Sequence, residues 1–143
     1  MSANAVNVAI AGLGRSGWDI HAKALEKLKS SFRVVAVTDT RPDRCQEAVQ
    51  RLGCRAHPDP AALFADPDVD LVVIATPSHV HATQVLEALG RGKHVVREKP
   101  MALSAGDADR VLSVFHNMRY WPDFVKVRDV TESGSSVASC RSD

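Results

Sequence analysis

The sequence has 143 residues, of which 45% are hydrophobic and 24% are charged, and this composition predicts one ordinary globular domain rather than a disordered chain. Lys and Arg number 18 against 17 Asp and Glu, so the formal net charge of +1 excludes the strong positive field of a nucleic-acid-binding or membrane-surface protein. The apolar stretches are also far shorter than a membrane span.

The cysteines and the start of the chain bear on the cellular compartment. Cys45, Cys54 and Cys140 form no C-x-x-C pair, which argues against a disulfide framework and against a zinc site. Residues 1–7 lack the basic and apolar regions of a secretory signal. We therefore expect a cytoplasmic protein without a bound metal.

The first motif is a glycine-rich turn that follows an apolar strand. Residues 5–11 are apolar except at Asn7, as in a parallel strand that is buried on both faces. Gly12, Gly14 and Gly17 then have the G-x-G-x-x-G spacing of a dinucleotide-binding turn. In such a turn the glycines permit a sharp reversal, a close approach to a pyrophosphate and tight packing of the next helix. A glycine-rich turn without a ligand has the same spacing, so the motif needs further support.

The segments that follow supply that support. Residues 16–30 are predicted to form a helix, with Ile20, Ala24 and Leu28 in a row at spacing four. The second predicted strand, F-R-V-V-A-V-T, ends directly before Asp39. A carboxylate at that point binds the adenosine ribose in dinucleotide-binding folds, although a turn or helix-capping residue is the simpler alternative.

The rest of the chain continues the alternation of helices and strands. Helices are predicted at 42–52, at 61–65 and between Ser78 and Gly90, and strands at 53–57, 69–75 and 93–97. Further on, the pattern predicts a short helix at 102–110, a sixth strand or a helical continuation at 111–115, a last helix from Trp121 and a frayed polar tail at 133–143. We therefore expect an α/β fold with a doubly wound, mostly parallel sheet in a single domain of residues 1–132.

The motifs share one position in the predicted sheet. Ligands of doubly wound sheets bind beyond the carboxyl ends of the strands. The glycine turn, Asp39, residues 76–81 and residues 98–100 all fall at that edge. This common position supports a ligand site more strongly than any single motif does.

With Glu98-Lys99-Pro100 included, the chain resembles the Gfo/Idh/MocA oxidoreductases, the glucose–fructose oxidoreductase and inositol dehydrogenase group. The matching stretches are A-G-L-G-R-S-G (11–17), V-T-D (37–39), A-T-P-S-H-V-H-A (75–82), G-K-H-V-V-R-E-K-P (92–100) and F-H-N-M-R-Y (115–120). The resemblance implies a Rossmann fold that binds NAD, with NADP as the alternative. It also implies hydride transfer between the nicotinamide and a hydroxyl carbon of a sugar, polyol or related compound.

The resemblance further implies roles for individual residues. The pyrophosphate would be bound by Gly12, Gly14, Arg15, Ser16 and Gly17, and the adenosine ribose by Asp39. The middle of the cofactor would be lined by Thr76, Pro77 and His81, and the nicotinamide ribose would lie beside Glu98 and Lys99. The active site would be bordered by Asn117 and Arg119. Lys99 would be the catalytic residue, because a lysine beside a cationic nicotinamide loses its proton more readily and can exchange a hydroxyl proton during hydride transfer. His21 and His94 are interpreted as structural.

The preference between the two dinucleotides depends on charge. The carboxylate of Asp39 would repel a 2′-phosphate, which favours NAD. Thr40 and Arg41 directly follow Asp39, and for this reason NADP remains the alternative cofactor.

The sequence also departs from the family in three respects. Family members are more than twice as long, and their second domain, which carries the substrate pocket, is absent from this sequence. The segment between Pro100 and Phe115 is shorter than in relatives, and Arg97 stands where a small or apolar residue is usual. We therefore expect either a truncated gene product or a natural short protein, whose turnover of a polyhydroxylated substrate would require a second domain or chain.

Two other functions are open at this point. The first is a non-catalytic dinucleotide-binding module. The second is an S-adenosylmethionine-binding domain, which agrees less well with the sequence because the E-K-P segment has no role in such a domain. Without a second domain, Trp121, Phe124 and Val127 would form an apolar patch that favours a homo-oligomer.

Overall fold

The computed structural model describes residues 5–99, and these residues form a five-stranded parallel sheet with helices on both faces. The strands are β1 (Val6–Ala11), β2 (Phe32–Thr38), β3 (Arg55–Ala56), β4 (Leu71–Ile74) and β5 (His94–Arg97). Their order across the sheet is β3-β2-β1-β4-β5, and every neighbouring pair is parallel. The chain therefore winds outward from β1 in one direction and then returns to continue in the other, which confirms the predicted doubly wound sheet.

The helices fill the connections between the strands. A π-helix (Ser16–Ala22) continues directly into α1 (Lys23–Lys27), and α2 (Pro42–Leu52), α3 (Pro60–Ala65) and α4 (His81–Gly90) follow, with a short 3₁₀ turn (Ser78–Val80) before α4. Local sequence explains several of these ends. Pro42 and Pro60 occupy first-turn positions, where proline's missing N–H leaves no hydrogen bond unmade. The left-handed conformation at Gly53 ends α2.

The hydrophobic core has two layers because alternate residues of each strand face opposite sides. In β1, Ala9 and Ala11 pack in the layer under α3 and α4, which includes Phe64 and Val85. Val8 and Ile10 pack in the other layer, under α2 and the first helical segment, which is the π-helix together with α1 (residues 16–27). This arrangement leaves the carboxyl ends of the strands at one common edge, between the two helical layers.

The first helical segment differs from its prediction. Ile20, Ala24 and Leu28 are exposed, with Ile20 54% and Leu28 49% accessible, so the apolar row at spacing four does not face the core. The reason is the π-helix, whose i→i+5 hydrogen bonds place more residues in each turn than the period of 3.6 that the prediction used. The inward positions are instead Gly17 and Ala22.

Several predictions concern residues that the structure does not describe. The elements predicted at 102–110 and 111–115, the helix from Trp121 and the tail at 133–143 lie outside residues 5–99, as do the domain limit at residue 132 and the apolar patch of Trp121, Phe124 and Val127. Within the described residues, no helix has the length and apolar character required to cross a bilayer.

Candidate functional site

The structure brings the predicted motifs together at the carboxyl edge of the sheet. Strand pairing continues one residue past several strand ends: the Gly12 N–H donates to the Thr38 carbonyl at 2.8 Å, and the Glu98 N–H donates to the Ile74 carbonyl at 3.0 Å. These hydrogen bonds fix the start of the glycine turn next to β2, and Glu98 next to β4. The edge between β1 and β4, where the winding reverses, is the position at which such sheets form a ligand crevice.

The three glycines of the turn have different structural roles. Gly12 has a φ of +91°, and a Cβ built there would lie 2.6 Å from the Ala75 carbonyl oxygen. A Cβ on Gly17 would lie 1.8 Å from the Gly12 carbonyl oxygen, so this glycine lets the helix pack against the turn. At Gly14 the one described heavy atom within 4 Å of such a Cβ is Arg44 Nη1, at 3.8 Å. Packing therefore explains Gly12 and Gly17, whereas the space over Gly14 is open to a ligand.

Asp39 lies at the tip of β2 with a carboxylate that is only 6% exposed. Its Oδ2 accepts a hydrogen bond from the Leu13 N–H at 2.6 Å, and its Oδ1 accepts one from the Arg41 N–H at 2.9 Å. Because a carboxylate can accept about four hydrogen bonds, capacity for ribose hydroxyls is left. The carboxylate joins the glycine turn to the neighbouring strand end.

Two arginines near Asp39 differ in their pairing. Arg41 forms an exposed ion pair with Asp43. Arg44 Nη1 lies 3.5 Å from Asp39 Oδ2 and is partly exposed. Arg44 also lines a shallow depression of about 260 Å³ together with Leu13, Gly14, Arg15, Trp18, Asp19 and Glu47. Arg44 thus lies beside both the glycine turn and Asp39.

The Thr76–Pro77 turn is held by the start of α4. His81 is 1% exposed, and its Nε2 lies 2.6 Å from the Thr76 carbonyl oxygen. The Thr76 hydroxyl donates to Gln84 Oε1 at 2.6 Å. His81 therefore fixes the backbone of the turn from beneath, while Pro77 is exposed.

Glu98 lies at the end of β5 beside the first helical segment. Its Oε1 is 2.7 Å from His21 Nε2. The nearby Ser16 hydroxyl and the His21 ring hold the pKa of Glu98 below its usual range, although burial opposes them, so this carboxyl stays ionised at neutral pH. Lys99, the predicted catalytic residue, is exposed next to it.

Arg97 is the residue that departs from the family pattern. Its Nη1 donates to the Glu98 carbonyl at 3.2 Å, and burial lowers the pKa of its guanidinium. The contact is to the backbone beside Lys99, so Arg97 supports the end of β5.

Three residues at this edge carried no sequence signal for a role in the site. Arg44 and Gln84 look like ordinary helix-surface residues, and His21 was interpreted as structural. Their partners are set by the tertiary fold, so neither periodicity nor motif spacing indicates them. Asn117 and Arg119, which the resemblance places at the active site, lie outside residues 5–99.

Two other features of the described residues lie apart from this edge. A larger cavity of about 860 Å³ opens at the amino-terminal edge, between Val6, Leu25, Phe32 and Leu52, and shares no residue with the predicted site. Within residues 5–99, no cluster of three or more His, Cys, Asp or Glu side chains could hold a metal ion.

The edge fits a dinucleotide on structural grounds. The space over Gly14 would admit a phosphate without a clash. The Ser16 Oγ is buried near Glu98, and no partner among the described residues meets hydrogen-bond geometry with it, so a phosphate oxygen would satisfy this hydroxyl. Gly14 precedes, and Ser16 begins, the helical segment of residues 16–27, and the N–H groups at the start of a helix favour an anion.

Comparison with known proteins identifies the fold's relatives. The family model described as "Oxidoreductase family, NAD-binding Rossmann fold" (GFO_IDH_MocA) matches residues 6–119. A myo-inositol 2-dehydrogenase of Thermotoga maritima is 32% identical over 141 residues, which cover 91% of this chain and 42% of that protein. The chain therefore spans about two fifths of the length of this relative.

Solved structures show the same relationship. The WlbA dehydrogenase of Bordetella pertussis, in complex with NADH and UDP-GlcNAcA, superposes with a TM-score of 0.73 at 27% identity, over 92% of this chain and 43% of that one. Biliverdin reductase of Synechocystis, in complex with biliverdin and NADP⁺, gives a TM-score of 0.70 at 28% identity, over 76% and 34%. From the matching family model, the sheet order and the glycine turn, we conclude that the chain belongs to the Gfo/Idh/MocA oxidoreductase family and contains its NAD-binding Rossmann domain.

Proposed function

We propose that the chain binds NAD(H) along the carboxyl edge of the sheet, with its adenosine half over β2 and its nicotinamide half over β4 and β5. The observation that carries this proposal is the placement of the open Gly14 between two ionisable groups, Asp39 on one side and Glu98 on the other. A dinucleotide has this same order of groups, with ribose hydroxyls on both sides of a pyrophosphate.

Each half of the cofactor has a proposed set of contacts. Gly14, Arg15 and Ser16 bind the pyrophosphate, with Gly12 and Gly17 shaping the turn, and Asp39 accepts hydrogen bonds from the adenosine ribose. On the other side, Thr76 and Pro77 contact the middle of the cofactor, and Glu98 and Lys99 lie beside the nicotinamide ribose. His81 acts through Thr76, because its side chain is buried and its Nε2 contacts the Thr76 carbonyl.

Direct titration tests this function. The 143-residue chain, titrated with NADH and followed by the fluorescence of the reduced nicotinamide, should bind with a dissociation constant in the micromolar to millimolar range. An affinity at the weak end is expected because the described residues enclose the cofactor on one side only. Absence of binding at millimolar NADH would overturn the proposal.

For the reaction, we propose hydride transfer between the nicotinamide and a hydroxyl carbon of a polyol or sugar. The cofactor supplies hydride chemistry when bound, and Lys99 takes or returns the hydroxyl proton at its Nζ. The support is the exposed position of Lys99 directly after Glu98, together with the dehydrogenase relatives.

A non-catalytic dinucleotide-binding module is the second candidate, since the chain spans about two fifths of the Thermotoga relative. The two functions differ in an absorbance assay of NAD⁺ reduction with myo-inositol and a panel of related polyols. NADH formation that is lost in Lys99→Met, with NADH binding retained, supports the oxidoreductase. Binding of NADH without turnover of any polyol supports the module.

The two described thiols bear on the compartment. Cys45 and Cys54 are both buried and both free. Buried free thiols are typical of reducing compartments, so we propose the cytoplasm.

A further inference from the structure

A histidine outside the predicted site is in direct contact with it. His21 Nε2 and Glu98 Oε1 lie 2.7 Å apart across 77 residues of sequence, and the two side chains are 21% and 29% exposed. Glu98 is ionised and can therefore only accept a hydrogen bond, so His21 Nε2 carries the proton that it donates. The contact joins the first helical segment to the end of β5.

His21 lies on the side of the π-helix that faces the end of β5. Because i→i+5 hydrogen bonds add a residue to each turn, His21 and Ala22 follow Gly17 on the inward side. In an ordinary α-helix that side would carry Ile20 and His21, whereas Ile20 is exposed here. Single π-turns occur often at functional sites, and this one lies beside the predicted site.

The topology decides which half of a dinucleotide would lie near this pair. Asp39 is at the end of β2, on one side of β1, and Glu98 is at the end of β5, on the other side. The glycine turn follows β1 and lies between them. If Asp39 takes the adenosine ribose, the nicotinamide half must extend over β4 toward Glu98.

We propose that His21 is a positioning residue for the nicotinamide half of the cofactor, because it holds the Glu98 carboxylate against the π-helix in the orientation that accepts hydroxyls of the nicotinamide ribose. This inference rests on the proposed dinucleotide-binding function. His21 contacts Oε1 of Glu98, and the Ser16 hydroxyl lies near the same carboxylate. Because a carboxylate can accept about four hydrogen bonds, capacity for ribose hydroxyls is left. The same π-helix carries Ser16 at its start, so the phosphate end and the nicotinamide end of the site share one helical element.

Comparing two ligands separates this role from a merely structural one. NADH contains the nicotinamide riboside and ADP lacks it, so only NADH affinity should depend on Glu98. In the full chain, His21→Ala should lower NADH affinity about tenfold, the equivalent of one lost hydrogen bond to a charged group. ADP affinity, measured by calorimetry, should stay within about twofold, since the adenosine and phosphate contacts lie elsewhere.

Two further variants complete the test. His21→Gln keeps an N–H donor and should restore NADH affinity to within about threefold of the original protein. His94→Ala removes an exposed histidine at the start of β5, at the opposite edge of the sheet, and should change neither affinity. If His21→Ala fails to fold, Glu98→Gln should give the same selective loss for NADH.

The outcomes distinguish this inference from the function on which it rests. Unchanged NADH affinity in His21→Ala, or an equal loss of NADH and ADP affinity, would overturn the positioning role while leaving dinucleotide binding intact. An original protein that binds ADP and NADH equally well would also overturn it, since no nicotinamide contact would then exist. Failure of the original protein to bind either ligand would overturn the proposed function itself.

Discussion

The carboxylate of Asp39 accepts a hydrogen bond from the Leu13 N–H at 2.6 Å, which ties the tip of β2 to the glycine turn. The aspartate thus has two roles. It is a proposed ligand of the adenosine ribose, and it satisfies a buried backbone donor of the turn that would hold the phosphates.

Asp39→Ala should affect both roles at once. NADH affinity should fall about 10- to 100-fold, since hydrogen bonds from ribose hydroxyls to a charged acceptor contribute ~1.5–3 kcal/mol. The free energy of unfolding should fall by ~1–3 kcal/mol, because the Leu13 N–H loses its partner. Fluorescence titration and urea unfolding measure the two effects. Asp43→Ala is the matched control, since Asp43 is exposed and pairs with Arg41; equal NADH losses in the two variants would contradict the ribose role.

The choice between NAD and NADP should depend on Arg44 and Asp39 together. A 2′-phosphate near Asp39 would be repelled by its carboxylate and attracted by the Arg44 guanidinium, 3.5 Å from Asp39 Oδ2. We expect the original protein to bind NADH more tightly than NADPH, and Asp39→Ala to narrow that difference. Arg44→Met should widen it, through weaker NADPH binding, in paired titrations with both cofactors.

Arg41→Met provides the comparison for Arg44, because Arg41 is already paired with Asp43. It should change the NADH to NADPH ratio less than Arg44→Met does. A larger effect of Arg41→Met, or a loss of NADPH affinity in Asp39→Ala, would show that the charge argument assigns the wrong residues.

The glycines allow packing to be separated from binding. Gly14→Ala meets open space and should leave the free energy of unfolding within about 1 kcal/mol of the original. Its methyl group would occupy the path of the pyrophosphate, so NADH affinity should fall about tenfold. Gly17→Ala would place a Cβ 1.8 Å from the Gly12 carbonyl oxygen and should destabilise the fold by ~2–3 kcal/mol. Thermal unfolding and NADH titration of both variants measure these effects. A Gly14→Ala protein that is less stable than Gly17→Ala would contradict the assignment of packing to Gly17 and of binding to Gly14.

The sequence predicts the positions of the site residues better than their contacts. The edge shared by the glycine turn, Asp39 and Glu98 follows from strand–helix alternation, because the carboxyl ends of parallel strands meet. The contact between His21 and Glu98 does not follow, since it joins side chains 77 residues apart that only the tertiary fold brings together. Periodicity also fails in the helix next to the site, because a π-helix replaces the assumed period of 3.6 and leaves Ile20 exposed.

A stability determinant lies in the segment between α3 and β4. The Asp66 carboxylate is 6% exposed and accepts hydrogen bonds from Arg55 Nη2 at 2.8 Å, from His57 Nε2 at 2.9 Å and from the Asp68 N–H at 3.0 Å. Burial alone would raise the pKa of Asp66, but these hydrogen bonds and the charge of Arg55 outweigh it and hold the pKa below its usual value. The carboxylate joins β3 to the segment before β4.

Asp66→Asn should therefore destabilise the protein by ~1–3 kcal/mol at neutral pH, without changing NADH affinity. A carboxyl whose pKa is lowered in the folded state contributes stability above its unfolded pKa, about 3.9 for Asp, and loses it as pH falls through the folded value. The difference in unfolding free energy between the two proteins should thus be constant from pH 7 to about pH 5 and shrink below about pH 4. Asp68→Asn, at a 61% exposed partner of Arg55, should cost less than ~1 kcal/mol. Urea unfolding across this pH range measures both, and a difference that grows on acidification would contradict the network, because stability would then depend on a protonated Asp66.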